Sequence, residues 1–352
     1  AEMGSVKNIE VINIASTTGN AATTIGLGDA FFANNNSSVT VNANLSIAGT
    51  TATTKVDGAS VSSGSITLVL KGDLTNVADS LIGGAGDDIL QLGYKGLAAA
   101  SDQDLEANDV FTGNGGTDMI VFDTQADGTN GGEGAIAATI DFDNVTGVEK
   151  ILVKDADGSG AAADTIVVTL STAVTTANVP AAFEYDGSVK TDADDTQDFN
   201  YNDATSGDNT ALTTKFTLTG GVGADSLYGA AGADIISGGT GADVLSGFGQ
   251  ADIITGGAGD DTIKGGDETA LTGVGDNLSG GSGADIIDGN AGDDTIDGGD
   301  GADIITGGTG ADIITGGSGA DVFEIDTWTE SGGTNIDTIT DFTTGADVIK
   351  IT

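Results

Sequence analysis

The sequence lacks residues on which many protein functions depend: its 352 residues include no cysteine, no histidine, no arginine and a single proline. Without cysteine and histidine, the chain forms no disulfide, holds no metal through sulfur or imidazole and has no catalytic histidine. No run of residues approaches the ~18 consecutive apolar residues of a transmembrane helix. We therefore expect no membrane insertion.

Positive charge is also scarce, because 54 acidic residues face ten lysines and the formal net charge is −44. A surface of this sign repels nucleic acid and anionic membranes, whereas it attracts cations. We therefore expect no nucleic-acid partner and expect the chain to bind cations instead.

Glycine is abundant, with 59 residues, and it recurs with a fixed period between residues 220 and 324. This stretch repeats the nine-residue phrase Gly-Gly-x-Gly-x-Asp-x-U-x, in which U is a large apolar residue; its positions are numbered 1 to 9 below. One unit carries six extra residues near Asp267 to Thr272, and the remainder divides into eleven units. A flexible acidic linker would not keep an apolar residue in one phase, so the stretch is predicted to fold.

The phrase predicts a tight turn followed by a three-residue strand. Glycine at positions 1, 2 and 4 permits a positive φ and a turn whose carbonyl groups point inward. One apolar residue per strand faces a thin core, so two units form an 18-residue coil with strands on opposite faces. The predicted core residues at position 8 are Leu227, Ile236, Leu245, Ile254, Ile263, Leu278, Ile287, Ile296, Ile305, Ile314 and Phe323.

Position 6 is aspartate in every unit, so stacked coils place aspartates at the strand spacing of about 4.8 Å. Two unit charges near 5 Å repel by roughly 0.8 kcal/mol in water and by about 3 kcal/mol at an effective dielectric constant of 20. The stretch holds 19 acidic residues and one basic residue, Lys264. We expect the metal-free stretch to stay unfolded until a hard cation binds carboxylate and carbonyl oxygens, and Ca²⁺ suits such ligands better than Mg²⁺.

This phrase resembles the RTX, or haemolysin-type, calcium-binding repeat. The resemblance implies an all-β protein built as a parallel β-roll, with multiple Ca²⁺ ions between adjacent turns. The aspartates and backbone carbonyls of those turns would hold the ions, and shorter, interrupted repeats occupy residues 79–121. The predicted metal ligands are Asp79, Asp88, Asp109, Asp118, Asp225, Asp234, Asp243, Asp252, Asp261, Asp276, Asp285, Asp294, Asp303, Asp312 and Asp321, with Gly221, Gly223, Gly239, Gly241, Gly257, Gly259, Gly281, Gly283, Gly299, Gly301, Gly308 and Gly310.

Two of these units depart from the pattern. Gln250 replaces a glycine of its unit, and Asp276 follows the six-residue insertion. Aspartate at position 5, found at Asp87, Asp260 and Asp293, is predicted to be surface charge rather than a further ligand.

The chain is predicted to contain two tandem modules, because Val145–Val153 echoes Val6–Ile14. The predicted segments are a β-rich segment (1–78), a short interrupted roll (79–137), a second β-rich segment (138–219), the main roll (220–324) and C-terminal capping strands (325–352). Alternating apolar residues predict strands at Ile9–Ile14, Ser38–Leu45 and Ser65–Leu70, and the best helix candidate is Leu97–Ala107.

Other functions fit the residues less well. Paired acids suffice for glycosidase chemistry, but acid pairs are everywhere in this chain, and neither H-E-x-x-H nor G-x-S-x-G occurs. We therefore predict that the chain is not an enzyme. Phosphate binding lacks a G-x-x-x-x-G-K-[ST] motif, and ice binding lacks a threonine rank, since position 3 varies.

Position 7 should point outward, yet seven of eleven units carry a β-branched apolar residue there. These residues are Ile235, Val244, Ile253, Ile286, Ile304, Ile313 and Val322. Two interpretations remain open: plain strand propensity, or a lateral contact with another module or chain.

Cysteine-free tandem modules rich in Thr, Ala, Asn and Gly are similar to bacterial surface-layer proteins, as is the segment Val6–Ile12. The resemblance implies type I secretion to the bacterial cell surface, where calcium is millimolar, and self-association into a surface array. A cell-surface polysaccharide is a further candidate partner. The alternatives are a segment of a large adhesin, or the secretion domain of an exported hydrolase or toxin.

Overall fold

The computed structural model describes residues 9–15, 23–33, 38–44, 54–71, 80–93, 110–123, 136–140, 145–154, 165–170, 182–186, 196–201, 213–267, 274–325 and 336–351. The chain divides into two compact units, Ala1–Lys190 and Thr191–Thr352. Within the described residues, no helix has the length and hydropathy needed to cross a membrane.

The first unit is a stack of parallel strands. Its elements are β1 (Val11–Ala15), β2 (Thr23–Gly28), α1 (Asp29–Phe32), β3 (Ser38–Asn44), β4 (Thr54–Ser60), β5 (Ser65–Lys71), β6 (Ser80–Ile82), β7 (Ile89–Gly93), β8 (Val110–Thr112), β9 (Met119–Asp123), β10 (Ile136–Ile140), β11 (Val145–Thr146), β12 (Lys150–Lys154), β13 (Thr165–Leu170) and β14 (Ala182–Asp186). One sheet runs β1-β3-β5-β7-β9-β12-β14 and a second runs β2-β4-β6-β8-β11, while β10 pairs with β13.

The second unit continues the same plan with shorter coils. Its strands are β15 (Thr196–Tyr201), β16 (Lys215–Thr219), β17 (Ser226–Tyr228), β18 (Ile235–Thr240), β19 (Val244–Phe248), β20 (Ile253–Ala258), β21 (Thr262–Asp267), β22 (Asn277–Ser282), β23 (Ile286–Ala291), β24 (Thr295–Gly301), β25 (Ile304–Thr306), β26 (Ile313–Gly319), β27 (Val322–Ile325), β28 (Thr338–Ile339) and β29 (Val348–Ile351). Even-numbered strands from β16 to β28 form one sheet, and odd-numbered strands from β15 to β29 form the other.

The register confirms the predicted two-unit coil. Ile236 pairs with Ile254, which lies 18 residues later, so each coil consumes two nonapeptides. Ile254 pairs with Leu278, 24 residues later, because the six-residue insertion falls within that coil. All pairings between named strands are parallel, for example β24 with β26, so the prediction of an all-β parallel β-roll is confirmed.

The core is one side chain thick in each sheet. Every position-8 residue from Leu227 to Phe323 is at most 5% exposed, as predicted. Full burial of a side chain of this size contributes about 1.5–3 kcal/mol. Position 7 alternates with it and faces outward, with Ile253 and Ile313 each 50% exposed.

The two echoing segments of the first unit make equivalent backbone contacts, and the tandem organisation itself stays a prediction. The carbonyl of Glu10 accepts a hydrogen bond from Thr40 N, and the carbonyl of Glu149 accepts one from Glu184 N, both at 2.9 Å. The predicted strands at Ile9–Ile14, Ser38–Leu45 and Ser65–Leu70 match β1, β3 and β5 within two residues. The helix candidate Leu97–Ala107 lies outside the described residues, and the segment boundaries predicted from the sequence stay a prediction.

The short helix α1 has no counterpart in the sequence prediction. It buries Phe31 and Phe32, and Asp29 in its first turn accepts hydrogen bonds from the backbone N and Oγ of Ser62. Four residues are too few for a helical periodicity to show in the sequence, and tertiary contacts hold this turn in place.

Candidate calcium site

The position-6 aspartates form two continuous ladders along the edges of the second unit. In each ladder, Oδ1 of one aspartate accepts a hydrogen bond from the backbone N–H of the aspartate one coil earlier; Asp225 N to Asp243 Oδ1 is 2.7 Å and Asp276 N to Asp294 Oδ1 is 2.7 Å. One ladder contains Asp225, Asp243, Asp261, Asp285, Asp303 and Asp321, and the other contains Asp234, Asp252, Asp276, Asp294 and Asp312. The eleven aspartates predicted as ligands therefore do lie in two rows.

These aspartates are buried, although they are charged residues. Each of the eleven is at most 2% exposed. Within the part of the chain that the structure describes, their second carboxylate oxygen mostly accepts no hydrogen bond from the protein. The buried Oδ2 atoms in this state belong to Asp243, Asp261, Asp276, Asp285, Asp294, Asp303, Asp312 and Asp321. A buried carboxylate oxygen without a donor is costly unless a cation binds it.

Position 1 keeps a small space open beside each of these oxygens. A Cβ atom on Gly238 would lie 2.3 Å from Asp243 Oδ2 and 2.7 Å from the carbonyl oxygen of Gly256 in the next coil. The same two kinds of oxygen surround Gly256, Gly280 and Gly298. A carboxylate oxygen and a carbonyl oxygen therefore converge on a point that no side chain fills.

Glycine is required at position 1 by this close approach rather than by backbone conformation. A positive φ occurs instead at positions 2 and 4, for example 113° at Gly239 and 135° at Gly241. Even non-glycine residues adopt it there, as in Gln250 (66°) and Asn290 (67°). Position 1 therefore does not use the positive φ that glycine permits, and its glycine makes room for oxygens instead.

Burial raises the pKa of these carboxyl groups, because the charged form loses its hydration. The pKa of Asp294 rises to about 8, and that of Asp234 and Asp261 to about 7. Hydrogen bonds from backbone N–H groups oppose the shift, whereas neighbouring aspartates in the row add to it for most members. Smaller rises, to about 6, occur at Asp243, Asp276, Asp303 and Asp312.

The first unit contains one described ladder of the same kind. Asp88 Oδ1 accepts from Ile66 N, and Asp118 Oδ1 accepts from Asp88 N. Burial raises the pKa of Asp118 to about 7 and also raises that of Asp88. The predicted ligands Asp79 and Asp109 lie outside the described residues.

The glycines whose carbonyls were predicted as ligands lie at positions 2 and 4 of the turns, whereas the carbonyls beside the aspartates belong to position 1. The position-2 carbonyl of Gly221 accepts a hydrogen bond from Thr240 N at 3.0 Å. The carbonyls that converge on the aspartate Oδ2 atoms are those of position 1, such as Gly256 and Gly280, which the sequence prediction omitted. The carbonyl ligand set drawn from the sequence therefore stays a prediction.

The two irregular units keep the ladder geometry. Asp252 N donates to Asp276 Oδ1 at 2.8 Å, across the insertion, and the Gln250 side chain donates to the carbonyl of Ala231 at 2.7 Å. The position-5 aspartates have a role of their own, since Asp87, Asp260 and Asp293 each accept the position-5 backbone N–H of the next coil.

Three acidic residues continue the ladders and a fourth binds a neighbouring turn, and none of the four was predicted as a ligand. Asp337 accepts from Asp312 N, and Asp347 accepts from Asp321 N, so each row extends into the last coil. Asp341 accepts from Gly316 N and Gly317 N. In the first unit, Glu149 Oε2 accepts from Asp118 N at 2.7 Å. Asp337 and Asp347 carry the D-x-U signal in degenerate units, since Asn335 replaces the position-4 glycine before Asp337 and Gly345 is the one repeat glycine before Asp347.

The donor set fits Ca²⁺, which takes six to eight oxygen ligands in flexible geometry. Among the described residues, no group of three or more acidic side chains comes together at one point. An ion held here would therefore combine a carboxylate such as Asp243 with turn carbonyls such as Gly256, and the buried Oδ2 atoms are the oxygens that lack a donor. When bound, Ca²⁺ supplies positive charge between rows of negative charge and cross-links coils.

The comparison with known families agrees with this geometry. Residues 75–93, 103–128, 217–245, 246–268, 272–305 and 297–324 match a family described as RTX calcium-binding nonapeptide repeat (4 copies). No curated protein matches the chain significantly. The matched residues cover the ladders of both units, including Asp88, Asp118 and the row from Asp225 to Asp321. The chain therefore contains calcium-binding RTX nonapeptide repeats in both units.

Proposed function

We propose that this protein is a secreted, non-enzymatic structural protein of the bacterial cell surface, a surface-layer or extracellular matrix subunit that folds and assembles when it binds calcium. The observation that carries the proposal is the pair of buried aspartate rows, in which most Oδ2 atoms accept no hydrogen bond from the described residues. Such rows are tolerated only where a divalent cation is abundant. Millimolar calcium outside the cell meets that condition, whereas the cytoplasm does not.

Calcium-dependent folding also suits export. With a formal charge of −44, the chain repels itself in a calcium-poor compartment, so it remains unfolded there and open to secretion. Outside the cell, calcium neutralises the rows and the stack forms. Type I secretion, which delivers unfolded chains, is the route that fits this order of events.

The architecture of the stacked coils favours a structural role. Most of the described chain is committed to parallel coils and buried aspartate ladders, and the sequence has no histidine or cysteine for general acid–base or nucleophilic catalysis. The flat outer faces of the sheets are the surfaces left for partners. Other copies of the chain and cell-surface polysaccharide are the partners we propose for them.

The proposal is tested on the cells that make the protein and on the purified chain. A calcium chelator should release the protein from washed cells, and the purified chain should form ordered two-dimensional arrays on a support in calcium but not in magnesium. Retention of the protein inside the cells, or release that does not respond to chelation, would contradict the proposal. A much longer parent protein with a terminal ligand-binding domain would favour an adhesin instead.

A further inference from the structure

We infer that one outward face of the second unit is the surface through which two copies of this chain associate side by side. The inference rests on the proposed structural function and names the surface that would build an array. The face is the outer side of β23, β25, β27 and β29. It carries two rows of side chains, the apolar stripe (Ile286, Ile304, Val322 and Val348) and the polar row (Asp288, Thr306, Glu324 and Lys350).

The apolar stripe is continuous along the stack. Ile286 pairs with Ile304, Ile304 with Val322, and Val322 with Val348 in the strand register. Ile286 is 49% exposed, Ile304 37% and Val348 53%, so β-branched side chains stand in solvent on adjacent strands. Four such residues in consecutive register distinguish this row.

The opposite sheet provides the contrast. Its position-7 row contains Ile253 and Ile313, each 50% exposed, but Asn277 and Thr295 lie between them in the register. The longest apolar run in that row is therefore two residues, Ile235 and Ile253, and Ile313 stands apart from it. The alternation of units assigns each residue to its sheet, and the register shows which residues of a row are neighbours.

Charge selects the same face for contact with a second copy. From residue 220 to the end of the sequence the only lysines are Lys264 and Lys350. Lys350 belongs to the polar row, and Lys264 pairs with Asp288 of that row on the preceding strand. They balance Asp288 and Glu324, and Lys350 Nζ lies 2.6 Å from Glu324 Oε1. Two copies of a chain with a net charge of −44 repel each other, so they can meet only where the local charge is balanced.

The register predicts how the copies meet. A two-fold axis along the strand direction, between β25 and β27, lays one apolar stripe on the other and reverses the order of the coils. Ile286 then faces Val348 of the second copy, and Asp288 faces Lys350 of the second copy. A two-fold axis along the stack would instead lay the apolar stripe on the polar row, which is less favourable.

The proposed contact between two copies is small, so stable association requires many such contacts at once. Four strands about 4.8 Å apart and three residues long give a footprint on the order of 200 Å² per copy, whereas stable interfaces bury about 800 Å² per partner. A single pair therefore associates weakly. In an array of many such contacts, the effective concentration makes them cumulative.

The test measures self-association of the full chain in saturating calcium by sedimentation velocity, up to the highest soluble concentration. Ile304→Glu should weaken association about tenfold, while Ile313→Glu, the same change on the opposite sheet, should leave it unchanged. Asp288→Lys and Lys350→Glu should each weaken association, and the double variant should restore it by exchanging the charges. Lys264→Glu, on the same row outside the overlap, is the matched control.

Circular dichroism with and without calcium distinguishes failure of the proposed contact from failure of the proposed function. If the variants fold with calcium but Ile304→Glu and Ile313→Glu associate alike, or the wild type stays monomeric, this face is not the contact. If the wild type does not respond to calcium, the proposed function itself fails.

Because the chain has no cysteine, Thr306→Cys and Glu324→Cys chains can be mixed with a bismaleimide of about 10 Å span, the packing distance of facing sheets. The mixture should cross-link faster than either variant alone.

Discussion

The backbone N–H of Asp225 donates a hydrogen bond to Oδ1 of Asp243 in the next coil, with N and O 2.7 Å apart. The bond is directional, since each carboxylate reaches back to the coil before it. It engages only one carboxylate oxygen, and Asp243 Oδ2 is buried with no donor among the residues that the structure describes. Stacking of coils and binding of calcium therefore use different oxygens of the same side chain, and substitutions can separate them.

Calcium should decide whether the second unit folds. Without a cation, the buried rows repel and the thin core does not compensate, so a chelator should abolish most of the β-sheet signal in far-ultraviolet circular dichroism. Millimolar calcium should restore it, and magnesium at the same concentration should not, since it retains its waters. A spectrum and a melting curve that are the same in chelator and calcium would rule this out.

Asp294→Asn removes the carboxylate charge but keeps the side-chain oxygen that accepts the hydrogen bond between coils. Asparagine keeps an Oδ1 that accepts the backbone N–H of Asp276, now 2.7 Å away, but it offers calcium no charged oxygen. We expect the calcium-bound state to lose about 1–3 kcal/mol, seen as a higher calcium midpoint for folding.

The matched control is Asp297→Asn, which removes the same charge from an exposed residue of the same repeat. Its calcium midpoint should stay near that of the wild type. Equal shifts for the two variants would mean that calcium responds to overall charge rather than to the buried row.

Gly238→Ala tests the space at position 1. Its Cβ would meet Asp243 Oδ2 at 2.3 Å and the Gly256 carbonyl oxygen at 2.7 Å, so the turn must shift. We expect a loss of about 1–3 kcal/mol in the free energy of unfolding with calcium bound, together with weaker calcium binding by titration.

Gly249→Ala is the comparison for that variant. A Cβ there would lie 3.6 Å from the Cα of Ala231, an ordinary contact, and the backbone φ is not positive. It should change stability by less than about 0.5 kcal/mol. A Gly238→Ala variant as stable as Gly249→Ala would show that the oxygens do not converge there.

Acidification should stabilise the metal-free roll. The folded-state pKa of Asp294 is about 8 and that of Asp261 about 7, above the ordinary 3.8, so the folded state binds more protons than the unfolded state between these limits. The stability of the metal-free fold is then lost as the pH rises through 6 to 8.

The measurement is circular dichroism in chelator from pH 8 down to pH 5, above the sequence pI of 4.1, where precipitation would interfere. The β-sheet signal should grow as the pH falls. Calcium affinity should fall over the same range, because protons compete for the carboxylates. A metal-free signal that is constant between pH 5 and pH 8 would refute the burial of these carboxyl groups in the metal-free fold.

The sequence predicted the repeat-built parts of the fold well, because periodicity reports on burial. Position 8 lies in the core from Leu227 to Phe323, and the insertion near Asp267 appears as a 24-residue step in the register. It did not predict that Asp337 and Asp347 extend the rows, because their units are degenerate: Asn335 replaces a glycine before Asp337, and only Gly345 is kept before Asp347. The two-unit coil already assigned Ile304 and Ile313, which lie in successive units, to opposite sheets, and the register agrees. How far each side chain is exposed came only from the structure.

Glu149 provides the last test. It lies in the first unit, close to the start of the second module predicted from the sequence. Its Oε2 accepts the backbone N–H of Asp118 at 2.7 Å, where the repeats elsewhere use an aspartate. Glu149→Gln keeps an acceptor and should fold nearly as the wild type does, whereas Glu149→Ala leaves the Asp118 N–H without that partner and should cost about 1–3 kcal/mol. Hydrogen exchange should become faster at residues 110–123 and 145–154 and remain unchanged in residues 213–267. Glu184→Ala, which removes an exposed partner of Lys150, is the control; if it accelerates exchange as much as Glu149→Ala does, Glu149 has no special role in the ladder.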